Sequence, residues 1–471
     1  MRTVHCAAVD LGATSGRVIV GTWRREKLTL AEVHRFPNQF RTLSGREYWD
    51  LPYLWAEVRT GLGLARKRFP GLVSVGVDSW AVDHALLDRS GRLVHPVYAY
   101  RDSRTQALSE ELGRGSFAKI YGLTGIPNYP YNTSLQLKET LAAFPRLGDS
   151  VARCLFISDY FNFLLTGRMA NELSISSHSQ LLDVRGMDWS PRALRHFGIP
   201  RRWFSKPRRS PAALGAIKGL PELAGVRAIL VPGHDTACAF AAMPAAPDGN
   251  DLYLSSGTWS LLGFESDSPV LGDMALTGKI SNERMGDGRY RPLRSSLGLW
   301  VLERTLLSYR ARPGTASAWA RLMSLAARVP VPKRLLDLND PALFNPADMR
   351  AAISQQIARR GGRAPRDLAR MVRLIVDSIG RAHADSVRLF EEVTGRRFRR
   401  ILIVGGGSKN PLLCQATANA CGIPVVSYSL EGAVTGNIAS QLVALGMVRN
   451  LAQFRRRLGT QLDATHYLPK G

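Results

Sequence analysis

No apolar stretch approaches the roughly 20 residues that a helix needs to span a bilayer, so no membrane crossing is expected from this sequence. Cysteine is scarce: Cys6, Cys154, Cys238, Cys414 and Cys421 include no C-x-x-C pair, and the closest two are seven apart. That spacing supports neither a zinc cluster nor a disulfide framework. The N-terminus runs from Met1 through His5 straight into strand-like apolar residues, without a signal-peptide core or a small-residue cleavage site. These absences together imply a reducing, cytoplasmic setting. There is no G-x-x-x-x-G-K-[ST], since Gly278-Lys279 is followed by Ile280, and no G-x-G-x-x-G; P-loop NTPases and dinucleotide enzymes are thereby excluded. Lysine is the last shortage. Of 63 basic residues only 10 are lysine, and against 38 acidic residues they leave a formal charge of +25. Such an excess raises nucleic acid as a partner. The arginine pairs (Arg201-Arg202, Arg208-Arg209, Arg359-Arg360, Arg396-Arg397, Arg399-Arg400) are instead scattered along the chain, so no specific nucleic-acid partner is expected.

What is present is a chain of 471 residues, 45% hydrophobic, enough for two or three domains. Strand-like runs at Val4 to Val9, Arg17 to Thr22, Leu28 to Phe36 and Val73 to Asp78 surround a helical stretch from Tyr53 to Lys67, which is α/β patterning with a mixed sheet. The cluster Pro244-Ala245-Ala246-Pro247-Asp248-Gly249 marks a boundary, predicting domains 1–245 and 246–471, with the last helix packing back on the first. A second strand pair, Leu252 to Ser255 and Thr258 to Phe264, repeats the design of the N-terminal hairpin. From Leu368 to Thr394, Val372, Ile375 and Ile379 recur at helical spacing. The strand Ile401 to Val404 breaks at three glycines before a helix that starts near Pro411.

Four turns carry candidate chemistry. In Asp10-Leu11-Gly12-Ala13-Thr14-Ser15-Gly16-Arg17 an acid precedes small residues whose N–H groups and hydroxyls can wrap a phosphate; Asp10 then makes sense beside a hydrated Mg²⁺, although an ordinary hairpin turn accounts for the segment equally well. Ser255 to Ser260, around Gly257 and Thr258, repeats the recipe. Gly405-Gly406-Gly407 lets backbone approach a flat or charged ligand at a helix start, or simply turns the chain. Asp235, in Gly233-His234-Asp235-Thr236, stands between a strand and a helix as either a reactive carboxylate or an N-cap. The blocks Asp78 to Asp83 and Tyr100 to Thr105 mix polar groups with aromatics, as a sugar or a set of surface turns would require.

In this order, and together with Tyr131-Asn132-Thr133, Ser158-Asp159-Tyr160-Phe161, Leu165-Thr166-Gly167 and Gly298-Leu299-Trp300, the segments resemble the FGGY family of carbohydrate kinases across nearly the whole chain. The resemblance implies two actin/hexokinase-like (ribonuclease H-like) ATPase domains, an active site in the interdomain cleft, and ATP with Mg²⁺. It implies Asp235 as the general base toward the sugar hydroxyl and Asp10 at the metal. It further implies Ala13, Thr14, Ser15, Gly16, Arg17 and Thr258 on the phosphates, Gly405, Gly406 and Gly407 near the adenosine, and Glu303 on the nucleotide side. The sugar residues it implies are Ala81, Asp83, His234, Thr236 and Ser295. Three positions depart from the pattern: Ala81 stands for a glycine, Ser295 for an asparagine and Glu303 for a glutamine. Pocket differences of this size are worth about 1–3 kcal/mol, so the expected ketose is L-rhamnulose, with L-fuculose or a pentulose as alternatives. A silent sugar- and ATP-binding sensor is disfavoured by the intact Asp10, Arg17, Asp235 and Thr258. The protein is expected to be a monomer or homodimer.

Overall fold

The computed structural model describes residues 3–311 and 313–470. Among them no helix is long and apolar enough to cross a membrane. The chain forms two units: unit 1 holds residues 1–244, 265–292 and 432–461, and unit 2 holds 245–264, 293–431 and 462–471. Residues 265–292 and 432–461, the latter carrying the last helix, thus group with unit 1 although they follow the predicted 245/246 boundary.

Unit 1 is built on a six-stranded sheet. Its order is Lys27–Pro37, Ser15–Arg24, Val4–Leu11, Leu72–Ser79, Arg227–Leu230, Ala212–Ala216. The three middle strands from Val4–Leu11 onward are parallel, and the others pair antiparallel. Val9, Leu11, Val18 and Val20 are buried against Leu54, Val58 and Leu62 of the helix Leu51–Arg68. That helix starts where Asp50 accepts the Tyr53 N–H at 3.1 Å, and it ends on Arg66, Lys67 and Arg68, each end suited to the helix dipole. The second sheet has seven strands and, behind its outer strand Ser281–Arg284, repeats the pattern: Tyr290–Leu297, Trp259–Gly263, Asp251–Ser256, Arg400–Val404, Val425–Tyr428, Ala464–Tyr467. Again a leading hairpin flanks two parallel neighbours and an antiparallel last strand. The helix Leu368–Thr394 covers it, burying Val372, Ile375 and Ile379 with Leu302, Ile353 and Leu413.

Two segments from the second half of the chain belong to unit 1, because their buried polar groups find partners there. In residues 265–292, the Asn282 N–H donates to Gly125 O at 2.9 Å and the Arg284 N–H to Ser177 Oγ at 2.9 Å. The helix Gly432–Ala444 sends Asn437 Nδ2 to Asp78 Oδ2 at 2.6 Å and Gln441 Nε2 to Ala7 O at 2.8 Å, and Ser74 Oγ donates to Gln441 Oε1 at 2.6 Å. All four side chains are fully buried, so satisfying them inside the sheet fixes where the helix goes. Gly436 lets it come in: a Cβ there would stand 1.8 Å from Cys238 O. The next helix, Leu451–Gly459, sets Arg455 across the C-terminal carbonyls of the helix Asp235–Ala242, donating to Phe240 O at 2.8 Å and Ala241 O at 3.0 Å while pairing with Glu265. Arg455→Met removes that cap and half of the buried charge pair. It should cost about 3 kcal/mol, seen as a lowered melting midpoint with little change in turnover at 25 °C.

Candidate active site

The parallel strands of unit 1 end in carboxylates. Asp10 closes the first strand and sits directly across from Asp78 on the next. Asp235 opens the helix that follows the third, and Ser79 N–H to Gly233 O at 2.9 Å ties this loop to the sheet. Crevices at the carboxyl ends of parallel strands are where α/β folds bind ligands. The loop is shaped further by Glu172, a fully buried residue that accepts the Gly233 N–H at 2.9 Å, Ser174 Oγ at 2.6 Å and Ser210 Oγ at 2.7 Å.

Asp235 is half-buried, and its Oδ1 takes the Thr236 hydroxyl at 3.0 Å. Burial raises its carboxyl above the usual range; His234 opposes the rise, and Asp10 adds to it by repulsion. Asp78 is pushed well above the ordinary carboxylate range, first by burial and then by Asp10, while Asn437 pulls it down. Arg17 pairs with Asp10. The turn before it is held by Gly12 N–H to Ser15 O at 3.1 Å and by Asn38, which donates Nδ2–H to Gly12 O at 2.7 Å and its backbone N–H to Thr14 O at 3.0 Å. Thr14 is exposed at the tip, Ala13 and Ser15 are half-buried, and Gly16 fits under Phe36, whose ring atoms a Cβ would meet at 2.2 Å. The oxygen donors of Asp10, Asp78 and Asp235 suit a hard divalent cation, and Asp78 Oδ1 is buried without a hydrogen-bond partner.

The expected sugar residues divide. His234 caps the Asp235 helix and Thr236 follows the acid, both buried. Ala81 lies beside Trp80, whose backbone N–H donates to Leu11 O at 3.0 Å, and before Val82, which is held at φ +71°, a conformation a β-branched residue adopts only under constraint. Asp83, also expected at the sugar, lies deeper. Its carboxylate is fully buried and already accepts Trp49 Nε1 at 2.6 Å, Trp80 Nε1 at 2.9 Å, Gln136 Nε2 at 2.9 Å and the Tyr100 N–H at 3.1 Å. Through two of those donors it anchors the indoles of Trp49 and Trp80, whose centroids are 4.3 Å apart. Burial still raises its carboxyl to about 6. Ser295, half-buried on the strand Tyr290–Leu297, belongs to unit 2.

Unit 2 brings its own candidates together around the end of the Asp251–Ser256 strand. Gly298 N–H donates to Thr258 O at 3.1 Å and Leu299 N–H to Gly257 O at 2.8 Å. Gly405 and Gly407 press against Ser256, where added Cβ atoms would lie 2.6 Å from its carbonyl and 2.0 Å from its hydroxyl. Glu303 is exposed on the helix Leu299–Ser308. Where unit 1 ends its strands in acids, unit 2 ends these in hydroxyls and glycine, a surface that accepts an anion's oxygens without repelling them.

Sequence spacing missed Glu172, Glu283, Arg291 and His178. His178, His234 and Glu283 present ligand atoms within 4.8 Å of one another, but the Arg291 guanidinium pairs with Glu283 and lies 2.9 Å from His234 Nδ1, so an arginine supplies the positive charge there. Glu283 is held below the usual carboxylate range: burial acts to raise it and is outweighed by His178, Arg291 and His234.

Residues 5–240 match the N-terminal domain, and residues 252–445 the C-terminal domain, of the FGGY family of carbohydrate kinases. Over 99% of this chain and 94% of theirs, the rhamnulokinases of Klebsiella pneumoniae (strain 342) and Enterobacter sp. (strain 638) are 37% identical to it. Among solved structures, the ligand-bound xylulose kinase of Lactobacillus acidophilus superposes with a TM-score of 0.79 at 17% identity, covering 99% of this chain and 94% of that one. The glycerol kinase of Plasmodium falciparum with ADP gives 0.78 at 14% identity over 99% and 94%. At such identities these two structures are likenesses of fold.

Proposed function

Since this chain belongs to the FGGY family of carbohydrate kinases and is an ATP-dependent sugar kinase, we propose that its acceptor is L-rhamnulose, converted with ATP to L-rhamnulose 1-phosphate and ADP. The observation that carries this reading is the 37% identity to rhamnulokinases over 99% of the chain. Asp235 is the base. As the sugar oxygen attacks the γ-phosphorus, its proton passes to the Asp235 carboxylate, the O–P bond forms, and the bond to the departing ADP oxygen breaks. Because Thr236 and His234 both approach Oδ1, Oδ2 is the atom assigned to take the proton. Ala13 to Arg17 and Thr258 bind phosphate oxygens, Gly405 to Gly407 lie along the nucleotide with Glu303 near it, and His234, Thr236, Ala81 and Ser295 contact the sugar. Asp83 serves it through Trp49 and Trp80. Asp10 would hold hydrated Mg²⁺, which when bound offsets the charge of the transferring phosphates.

A second ketose is favoured by the methyl of Ala81 and the short Ser295. ADP release measured over L-rhamnulose, L-fuculose, L-ribulose and D-xylulose, with phosphorus NMR locating the ester, separates the readings. L-rhamnulose should give the highest kcat/KM, phosphorylated at C1. A tenfold or greater preference for any other sugar overturns the substrate assignment and leaves the kinase standing.

A further inference from the structure

Behind Asp235 the buried polar groups of unit 1 form a chain. His234 Nε2 lies 3.4 Å from Asp235 Oδ1, and the other ring nitrogen, Nδ1, lies 3.2 Å from Glu283 Oε2. Glu283 arrives on the returning strand Ser281–Arg284 and is fully buried. It is itself held by Arg291 and by the Ser281 hydroxyl at 3.1 Å, with His178 Nδ1 3.4 Å away. Arg291 is also fully buried, with its guanidinium carbon 5.3 Å from the Phe240 ring centre. A carboxylate turns freely about its last torsion, so a base that must present one oxygen needs something to hold the other.

Resting on the reading of Asp235 as base, we infer that Glu283 is a positioning residue for phosphoryl transfer: it holds the Arg291 guanidinium against His234 Nδ1, which accepts from it at 2.9 Å, so that the ring's proton sits on Nε2, is donated to Asp235 Oδ1 and leaves Oδ2 facing the sugar hydroxyl. Arg291 balances the Glu283 charge, which a buried anion requires. The 3.4 Å separation at Asp235 is long for a hydrogen bond, and catalytic contacts of this kind tighten in the reacting complex. Nothing in ordinary folding demands that Glu283 face an imidazole as well as its arginine; the extra contact points along the line to the base. The charged and titratable groups around this line are His178, Arg291 and Glu283 at His234, and Asp10, Asp78 and Arg17 near Asp235.

Glu283→Gln in the full-length enzyme tests it. The expected result is a kcat about 30-fold lower, with KM for sugar and for ATP within threefold of wild type. The acid limb of the pH–rate profile should move to higher pH, because a His234 ring no longer held by Arg291 in the Nε2–H form stabilises the Asp235 carboxylate less. In a His234→Gln background the same substitution should change kcat no further, since its effect runs through that ring. If Glu283→Gln does not fold, the neutral pair Glu283→Gln/Arg291→Gln is used in the same cycle, with melting midpoints reported for every variant. A wild-type kcat in a folded variant, or an equal loss with and without His234, overturns the positioning role. That failure is distinct from failure of the base: a turnover retained in Asp235→Asn would remove the base, whereas an inactive Asp235→Asn beside a fully active Glu283→Gln removes only the relay.

Discussion

Asp235→Asn should leave a folded protein that binds both substrates and turns over about 10³-fold more slowly, the middle of the range for losing a positioned general base. Asparagine keeps the shape at the helix start and can still meet the Thr236 hydroxyl and His234, so the sugar and ATP affinities have little reason to change. What it cannot do is accept a proton. The wild-type pH profile should show the same group at work. Burial raises the Asp235 carboxyl, and the base is competent only when ionised, so kcat/KM should fall as pH drops through a value above the roughly 3.9 of an unperturbed aspartate. The asparagine variant should lack that limb. Stability should move the other way. A carboxyl raised in the folded state binds more protons there than in the unfolded chain, so stability falls as pH rises from the unfolded value through the raised one. At neutral pH the wild type carries that burden and the asparagine variant does not. Its melting midpoint should therefore equal or exceed the wild type's, while its turnover collapses. A residual rate within tenfold of wild type would refute the assignment.

The largest expected loss of stability is at Gly436. Replacing a mid-helix glycine by alanine ordinarily stabilises by up to about 1 kcal/mol, through lower unfolded-state entropy. Gly122, in the helix Phe117–Thr124 with nothing within 4 Å of an added Cβ, should behave in that way. At Gly436 the new methyl would stand 1.8 Å from Cys238 O, and 2.5 Å from its carbonyl carbon. The obstacle is backbone, which has no rotamer to yield. The helix Gly432–Ala444 must back away from the helix Asp235–Ala242, straining the buried bonds of Asn437 and Gln441. A cost above about 4 kcal/mol is expected, in the range reserved for overpacked or disrupted cores. Differential scanning calorimetry of the two alanine variants should show shifts of opposite sign. A Gly436→Ala protein as stable as wild type would mean that the two helices do not meet as described.

The sequence made the elements legible wherever local pattern controls them. The strands from Val4 and from Leu252, the turn at each hairpin, and the amphipathic helix from Leu368 to Thr394 all lie where their apolar spacing puts them. Asp10, Asp235 and the triple glycine stand at strand ends and helix starts, positions that chain-local signals mark. Glu283 and Arg291 were invisible for the opposite reason: their partner His234 is about fifty residues away in sequence, and no spacing rule connects them. Glu172 likewise spends its charge on Gly233, Ser174 and Ser210. The setting of Asp83 was equally hidden, because its donors Trp49 and Gln136 are 34 and 53 positions away in sequence. The return of the last helix was expected from the sequence, but the side-chain partners of the helix before it were not, since Asn437 finds Asp78 some 359 positions back.

That last connection bears on how the polypeptide is made. A domain whose sheet is complete by residue 230 would be expected to fold as it leaves the ribosome, ahead of the residues synthesised later. Here Asp78 Oδ2 and the carbonyl of Ala7 accept from Asn437 and Gln441, and Ser74 Oγ donates to Gln441, so the nascent first half carries these buried polar groups without those partners until most of the remaining chain has been made. Its early strands are then a transient liability for misassociation, and a chain stopped before residue 432 leaves that liability permanent.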